Sequence, residues 1–256
     1  MSSTETTYKP QFRLPEFIER GRNQVIQCPV YLDDALAAPS SGTVSVYDPV
    51  GTAAVDAQTV TISNSIAQYT VTTTHIAATV ALKEGWRVEW SLTMPDSVVH
   101  VFRNAAAVVR RRLYPVITDG DLTDLHSNLD DLLDSDRTHW GPVLDAAWVR
   151  IQRRLIQAGN RPYLVMDPWA LADVHRYLTL HIVFEDLAAS TGVDGRYAEL
   201  SDRYEDRYER SWSALSFAYD ADKDGQADST QDRRAGSPTL WTNAPNRSAR
   251  FRKRWD

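Results

Sequence analysis

The amino-acid sequence predicts an α+β protein of two domains: an N-terminal antiparallel β-sandwich or barrel, then an α-helical bundle, then an extended C-terminal arm. Apolar residues alternate at period two through residues 24–103 and recur at three- and four-residue steps through residues 119–219. They show no period after residue 232. Charge divides at that last boundary: residues 233–256 carry seven basic side chains against one carboxylate, and residues 1–232 carry 21 against 33. The predicted boundaries are 1–23 for an N-terminal extension, 24–104 for the β domain, 105–219 for the helical domain and 220–256 for an Asp-rich turn and basic arm. At 256 residues the chain is near the upper limit for a single core, and its 43% apolar and 24% charged residues are those of an ordinary globular protein.

The β domain is read from alternating runs: Ile26/Cys28/Val30/Leu32, Val44/Val46, Val60/Ile62, Tyr69/Val71, Val80/Leu82, Trp86/Val88/Trp90/Leu92 and Val99/Val101. Turn signals part them at Pro39-Ser40-Ser41-Gly42, Asp48-Pro49-Val50-Gly51, Glu84-Gly85 and Pro95-Asp96. Cys28 is the only cysteine, which excludes an internal disulfide, and its alternating neighbours predict a buried strand position.

After Arg103 the period changes. Residues 105–113, with Arg110, Arg111 and Arg112, read as a connector. Thr118, Asp119 and Asp121 offer caps for a first helix carrying Leu122, Leu125, Leu129, Leu132 and Leu133. A second follows Pro142, with Leu144, Ala147, Trp148, Ile151 and Leu155 on one face, and closes at Gly159-Asn160. Asp167-Pro168 opens a third, apolar nearly all round and therefore expected at the centre of the bundle. The fourth, about residues 196–219, carries Tyr197, Leu200, Tyr204, Tyr208, Trp212, Leu215 and Tyr219 along one seam and charges elsewhere.

Candidate chemistry is sparse. Asp220, Asp222, Asp224, Gln226 and Asp228, with Gly225 at the sixth position, follow the calcium-loop template, in which glycine permits the turn that converges oxygen ligands. The twelfth position is Gln231 where the template has a bidentate Glu, so the expectation is a polar turn, with no metal or other cofactor. His175 and His181 stand six apart and do not share a helix face, so they read as hydrogen-bonded structural residues. His126 and His139 lie among Asp124, Asp130, Asp131, Asp134 and Asp136, read as a solvated acidic face. No G-x-S-x-G, P-loop or G-x-G-x-x-G occurs, and the expectation is a protein without enzymatic activity. No run approaches the ~20 apolar residues of a membrane helix, and the opening MSSTETTYKP lacks the basic and apolar regions of a signal peptide. Synthesis in the cytoplasm, with no membrane partner, is therefore expected.

The arm sets Trp241, Phe251 and Trp255 among Arg233, Arg234, Arg250, Arg252, Lys253 and Arg254. Aromatics and arginines supply most interface energy, so these residues are expected to dock on a partner. An inert terminus and a nucleic-acid-binding arm are the other readings.

The phrase Leu113-Tyr114-Pro115-Val116-Ile117-Thr118-Asp119-Gly120-Asp121-Leu122 opens the helical region. Phe217-Ala218-Tyr219-Asp220-Ala221-Asp222-Lys223-Asp224-Gly225 leads from the last helix toward the arm. In this order they resemble the head-to-tail connector (adaptor, or head-completion) proteins of long-tailed bacteriophages and gene transfer agents. The resemblance spans residues 113–256. It implies a structural virion protein at the neck, where head joins tail. There the helical domains form a homo-oligomeric ring, generally twelve-fold, that continues the DNA channel below the portal. It implies that the arm reaches the portal protein, that a tail-side neck or tail-completion protein binds the other face, and that genomic DNA passes without sequence-specific contact. An acidic body suits such passage, because phosphate affinity grows with each Lys or Arg contact. The N-terminal β domain is outside the minimal family pattern, which leaves ring reinforcement or capsid contact open for it. Two other classes stay open: a calcium-dependent binding module, such as a virion-surface or glycan-binding protein, and a hydrolase using His126 or His139 with nearby aspartates.

Overall fold

The computed structural model describes residues 7–133, 137–191, 195–228 and 233–234. The chain is α+β, β-rich in its N-terminal half and helical in its C-terminal half. The strands are β1 (Lys9–Pro10), β2 (Glu16–Glu19), β3 (Gln24–Cys28), β4 (Val30–Leu32), β5 (Ala35–Leu36), β6 (Ser41–Tyr47), β7 (Ala53–Thr59), β8 (Thr61–Ser63), β9 (Ile66–Val71), β10 (Lys83–Thr93) and β11 (Val99–Val109). They form a five-stranded sheet in the order β2-β11-β10-β6-β7 and two three-stranded sheets, β3-β9-β8 and β1-β4-β5. Pairing is antiparallel except between β2 and β11, which run parallel with Ile18 opposite Val108. Val88, Trp90 and Leu92 from β10, Val44 and Val46 from β6, and Ile26 and Cys28 from β3 share one buried core.

The structure corrects the strand reading in several places. The run from Ile26 to Leu32 is two strands in two sheets, because Pro29 between them has no N–H for a ladder. Val80 and Leu82 lie outside the strands, where the Val80 carbonyl accepts a hydrogen bond from Arg20. The N-terminal extension contributes β1 and β2 to the sheets. Strand grammar does not stop at Arg103: β11 continues to Val109. Its inward phase is also the opposite of the one read from Val99 and Val101, which are 59% and 47% exposed. Phe102 stands opposite Trp90 on β10. Facing residues of paired strands lie on one side of a sheet, so the larger apolar area of Trp86, Trp90 and Phe102 takes the core and the valines face outward.

In the helical half, α1 spans only Asp119–Thr123, where Asp121 accepts from the Thr118 N–H and hydroxyl. The predicted continuation to Leu133 is replaced by a 3-10 turn at Asp130–Leu132, since Asp124, Ser127, Asn128 and Asp130 are weak helix formers. Leu122 and Leu129 are buried, but Leu125 is exposed. α2 (Gly141–Gln157) buries the predicted face and ends where Gly159 takes φ +80°. Asp167 accepts from the Trp169 N–H at a 3-10 turn that leads into α3 (Ala172–Thr191). α3 packs on α1, α2 and α4 (Gly195–Ala214), which makes it central, as its apolar surface requires. α4 stops at Ala214, earlier than read from its seam. Leu215, Phe217 and Tyr219 then alternate inward as extended chain, with β12 at Ser216–Phe217. A second core joins Trp148, Ile151, Val174, Trp212 and Phe217 to Ala107 and Val109 of β11, with Phe17 of β2 at its margin. The stretch read as a connector is thus strand as far as Val109, and Leu113 beyond it is core.

Candidate functional site at the aspartate loop and the root of the arm

The segment leaving α4 is fixed before it reaches the aspartates. Met166 N–H donates to the Ala218 carbonyl and Asp220 N–H to the Leu164 carbonyl, both at 2.9 Å. The Tyr219 hydroxyl accepts from the Arg161 N–H at 2.9 Å. Asp220 is therefore held at the edge of the second core, only 3% exposed. The chain then turns tightly around its own carboxylates. Asp222 Oδ1 accepts from Asp224 N–H (3.0 Å), Asp224 Oδ1 from Gln226 N–H (2.7 Å), and Asp220 Oδ2 from Gly225 N–H (3.0 Å). Asp228 Oδ2 closes the loop on Ala221 N–H at 2.7 Å, and Asp228 N–H donates to the Tyr219 carbonyl at 3.0 Å. Lys223 and Gly225 take φ +66° and +95°. The φ of Gly225 favours glycine, and a Cβ there would displace the guanidinium of Arg110, which donates to the Lys223 carbonyl at 2.8 Å.

Asp220, Asp222 and Asp224 each offer one carboxylate oxygen, and these lie within 4.8 Å of one another. Burial pushes the Asp220 carboxyl above the ordinary aspartate range, the Gly225 amide and Arg110 oppose the rise, and Asp222 and Asp224 add to it. Asp220 Oδ1 is buried and meets no hydrogen-bond donor. Of the five residues read from the template, three converge; Asp228 caps an amide and Gln226 is exposed. Arg110 is the participant the sequence reading missed. Its signal was the run Arg110-Arg111-Arg112, but no periodicity ties residue 110 to residue 225. A cleft of about 250 Å³ adjoins the loop, walled by Arg22, Arg110, Arg111, Tyr163, Met166 and Asp220.

The loop lies between the two strands of a small ribbon. β13 (Arg233–Arg234) pairs antiparallel with β12, Phe217 opposite Arg233 and Ser216 opposite Arg234. The first two residues of the arm thus have their backbone seated beside the end of α4. Gln231, Trp241, Arg250, Phe251, Arg252, Lys253, Arg254 and Trp255 lie outside the described residues, as do Asp134 and Asp136.

The histidines are scattered. Buried His175 donates from Nε2 to the Leu144 carbonyl at 2.9 Å, and His181 Nδ1 lies 3.0 Å from the Ser201 hydroxyl. His126 is not on an acidic face: it packs edge-on against the stacked rings of Phe184 and Tyr204, with Nε2 2.6 Å from the Tyr204 hydroxyl. His139 Nδ1 accepts from Gly141 N–H, which leaves that nitrogen engaged in helix entry. Among the described residues, no helix is long and apolar enough to cross a membrane. No protein-family model, curated protein or solved structure matches the chain.

Proposed function

We propose that this chain is a head-to-tail adaptor of a phage-like particle. It is a structural, non-enzymatic protein of the virion neck that forms a ring below the portal, continues the DNA channel and links the capsid to the tail. In this reading a β-sandwich-like unit, which takes in the N-terminal strands and runs to Val109, is carried on the adaptor-like helical bundle that follows it, and the basic arm docks on the portal. The observation that supports it best is the β12–β13 ribbon, which starts the arm from the end of α4 on the helical core. A root seated on the helical core lowers the ordering cost of docking. The phrases at residues 113–122 and 217–225 and the helices between them support the same reading.

Truncation after Arg234, which keeps the ribbon, tests it. The truncated chain should keep its melting temperature but lose capture by its cognate portal protein, and heads should fail to join tails. Assembly on the portal with unchanged affinity sinks the docking role. Tight duplex-DNA binding by the intact arm at physiological salt, with the portal ignored, puts the nucleic-acid reading in its place.

A second reading, a calcium-dependent binding module of the virion surface or of glycans, is favoured by the convergence of Asp220, Asp222 and Asp224. It requires ligand binding that a chelator abolishes.

A further inference from the structure

We propose that Asp220, Asp222 and Asp224 hold a hard divalent cation, calcium by preference, at the root of the arm. Oxygens that share one calcium ion at 2.3–2.6 Å stand no more than about 5 Å apart, and the three carboxylates already meet that condition at 4.8 Å. The second observation is independent of this convergence. Asp220 is 3% exposed, and its Oδ1 has no donor although a buried carboxylate oxygen without a partner is costly. Arg110, the neighbouring cation, spends Nη2 on the Lys223 carbonyl, and the other two residues of the group are themselves carboxylates, Asp224 adding coulombic repulsion. A bound cation supplies what Oδ1 lacks and offsets that repulsion.

The group is also oriented before any ion arrives. The Asp220 backbone is tied to Leu164, and Asp222 and Asp224 each use Oδ1 to cap an amide two residues on. Calcium suits such a flexible all-oxygen set better than magnesium, which keeps most of its waters and demands near-octahedral geometry. Gln231 at the position of the bidentate ligand places the affinity at the weak end for such loops, a Kd of about 10⁻⁴–10⁻³ M. Because β12 and β13 flank the loop, occupancy would stiffen the root of the arm.

The test is calorimetric titration of the chelator-stripped full-length chain with calcium chloride, alongside melting curves. One calcium per chain is expected. The melting temperature should rise in about 10 mM calcium chloride, by mass action on the folded state. Asp224→Asn changes an exposed carboxylate while keeping an oxygen to cap Gln226 N–H, so it should fold. It should bind at least about tenfold more weakly, given that oxygen charge sets affinity in these loops. Absence of both binding heat and melting shift, or an Asp224→Asn variant that responds like the parent, overturns the site. An equal or larger shift with magnesium chloride overturns the preference for calcium. None of these outcomes depends on the portal, so failure here leaves the adaptor reading standing, and the reverse.

Discussion

His175 shows how one buried group sets a pH dependence. It is fully buried on α3 with its ring 5.0 Å from that of Trp148, and because Nε2 faces the Leu144 carbonyl it must carry the proton there. Nδ1 is buried without a partner, so a second proton would place a charge where nothing accepts it. Burial accordingly holds the imidazole below its ordinary value, with the Leu144 carbonyl and Asp145 opposing. The unfolded chain then takes up a proton near pH 6.5 while the folded chain does so only at lower pH, so stability is complete above about pH 6.5 and falls below it. His126 is lowered too, by burial first and then by Arg207, Arg196 and Arg203, and adds in the same direction. Melting temperatures from pH 7.5 to 5 should fall, and fall less steeply in His175→Gln than in the parent. Equal slopes would assign the effect elsewhere.

At the scale of elements, α2 and α4 are joined by one side chain doing two things. Arg154 on α2 grips Glu209 on α4 through Nη1 and Nη2, each at 2.7 Å, while its Cζ lies 4.4 Å from the Trp212 ring centre and 5.0 Å from that of Tyr208. Arg154 holds the Glu209 carboxyl below its ordinary range. The pair is partly exposed, so solvent and salt screen it, but the two-pronged contact and the aromatic stacking separate it from an ordinary surface ion pair. Replacing Arg154 by Ala should cost about 1–2 kcal/mol in denaturant unfolding. Arg154→Lys should recover less than half of that, because an ammonium neither forks nor stacks as well. Full recovery by Lys would reduce the contact to charge alone.

Across the whole molecule the sheet and the helices share a seam. Ala107 and Val109 of β11 belong to the same buried cluster as Trp148 and Phe217. Arg112 donates from its N–H to Glu19 (2.6 Å), from Nε to the Phe17 carbonyl (2.5 Å) and from Nη2 to Glu16 (2.9 Å). Glu84 at the start of β10 accepts from the Tyr163 hydroxyl at 2.8 Å and pairs with Arg161. Burial, and after it this contact with Glu84, pushes the Tyr163 phenol well above its usual range. A core and polar contacts held in common couple the two halves energetically. Calorimetry should therefore give one cooperative unfolding transition rather than two. Tyr163→Phe, which leaves Glu84 short of a donor, should lower the stability by about 1 kcal/mol, read as a lower midpoint of a single transition. Two resolved transitions in the parent would show that the seam carries little energy.

The sequence by itself determined what short-range periodicity and composition can carry. Trp86/Val88/Trp90/Leu92 announce β10, the five apolar residues expected on the face of α2 are all buried, with Gln152 added to them, and Gly159 and Asp167-Pro168 mark an end and a beginning, because these signals act within one or two turns of chain. Position 28 was legible as a buried strand cysteine, and burial indeed pushes its thiol up to about 12. The template Asp220/Asp222/Asp224 was legible too, as spacing alone. Only the tertiary structure decided the rest, since each outcome depends on residues distant in the chain. Trp90 turns Phe102 inward and Val101 outward. Val165 draws Tyr219 out of a helix into an extended bridge. Arg110 comes to fill the space over Gly225, and Leu164 pins the backbone that buries Asp220. A periodicity states which residues can share a face; which face is buried, and whether a carboxylate on it keeps a partner, is settled by what packs against it.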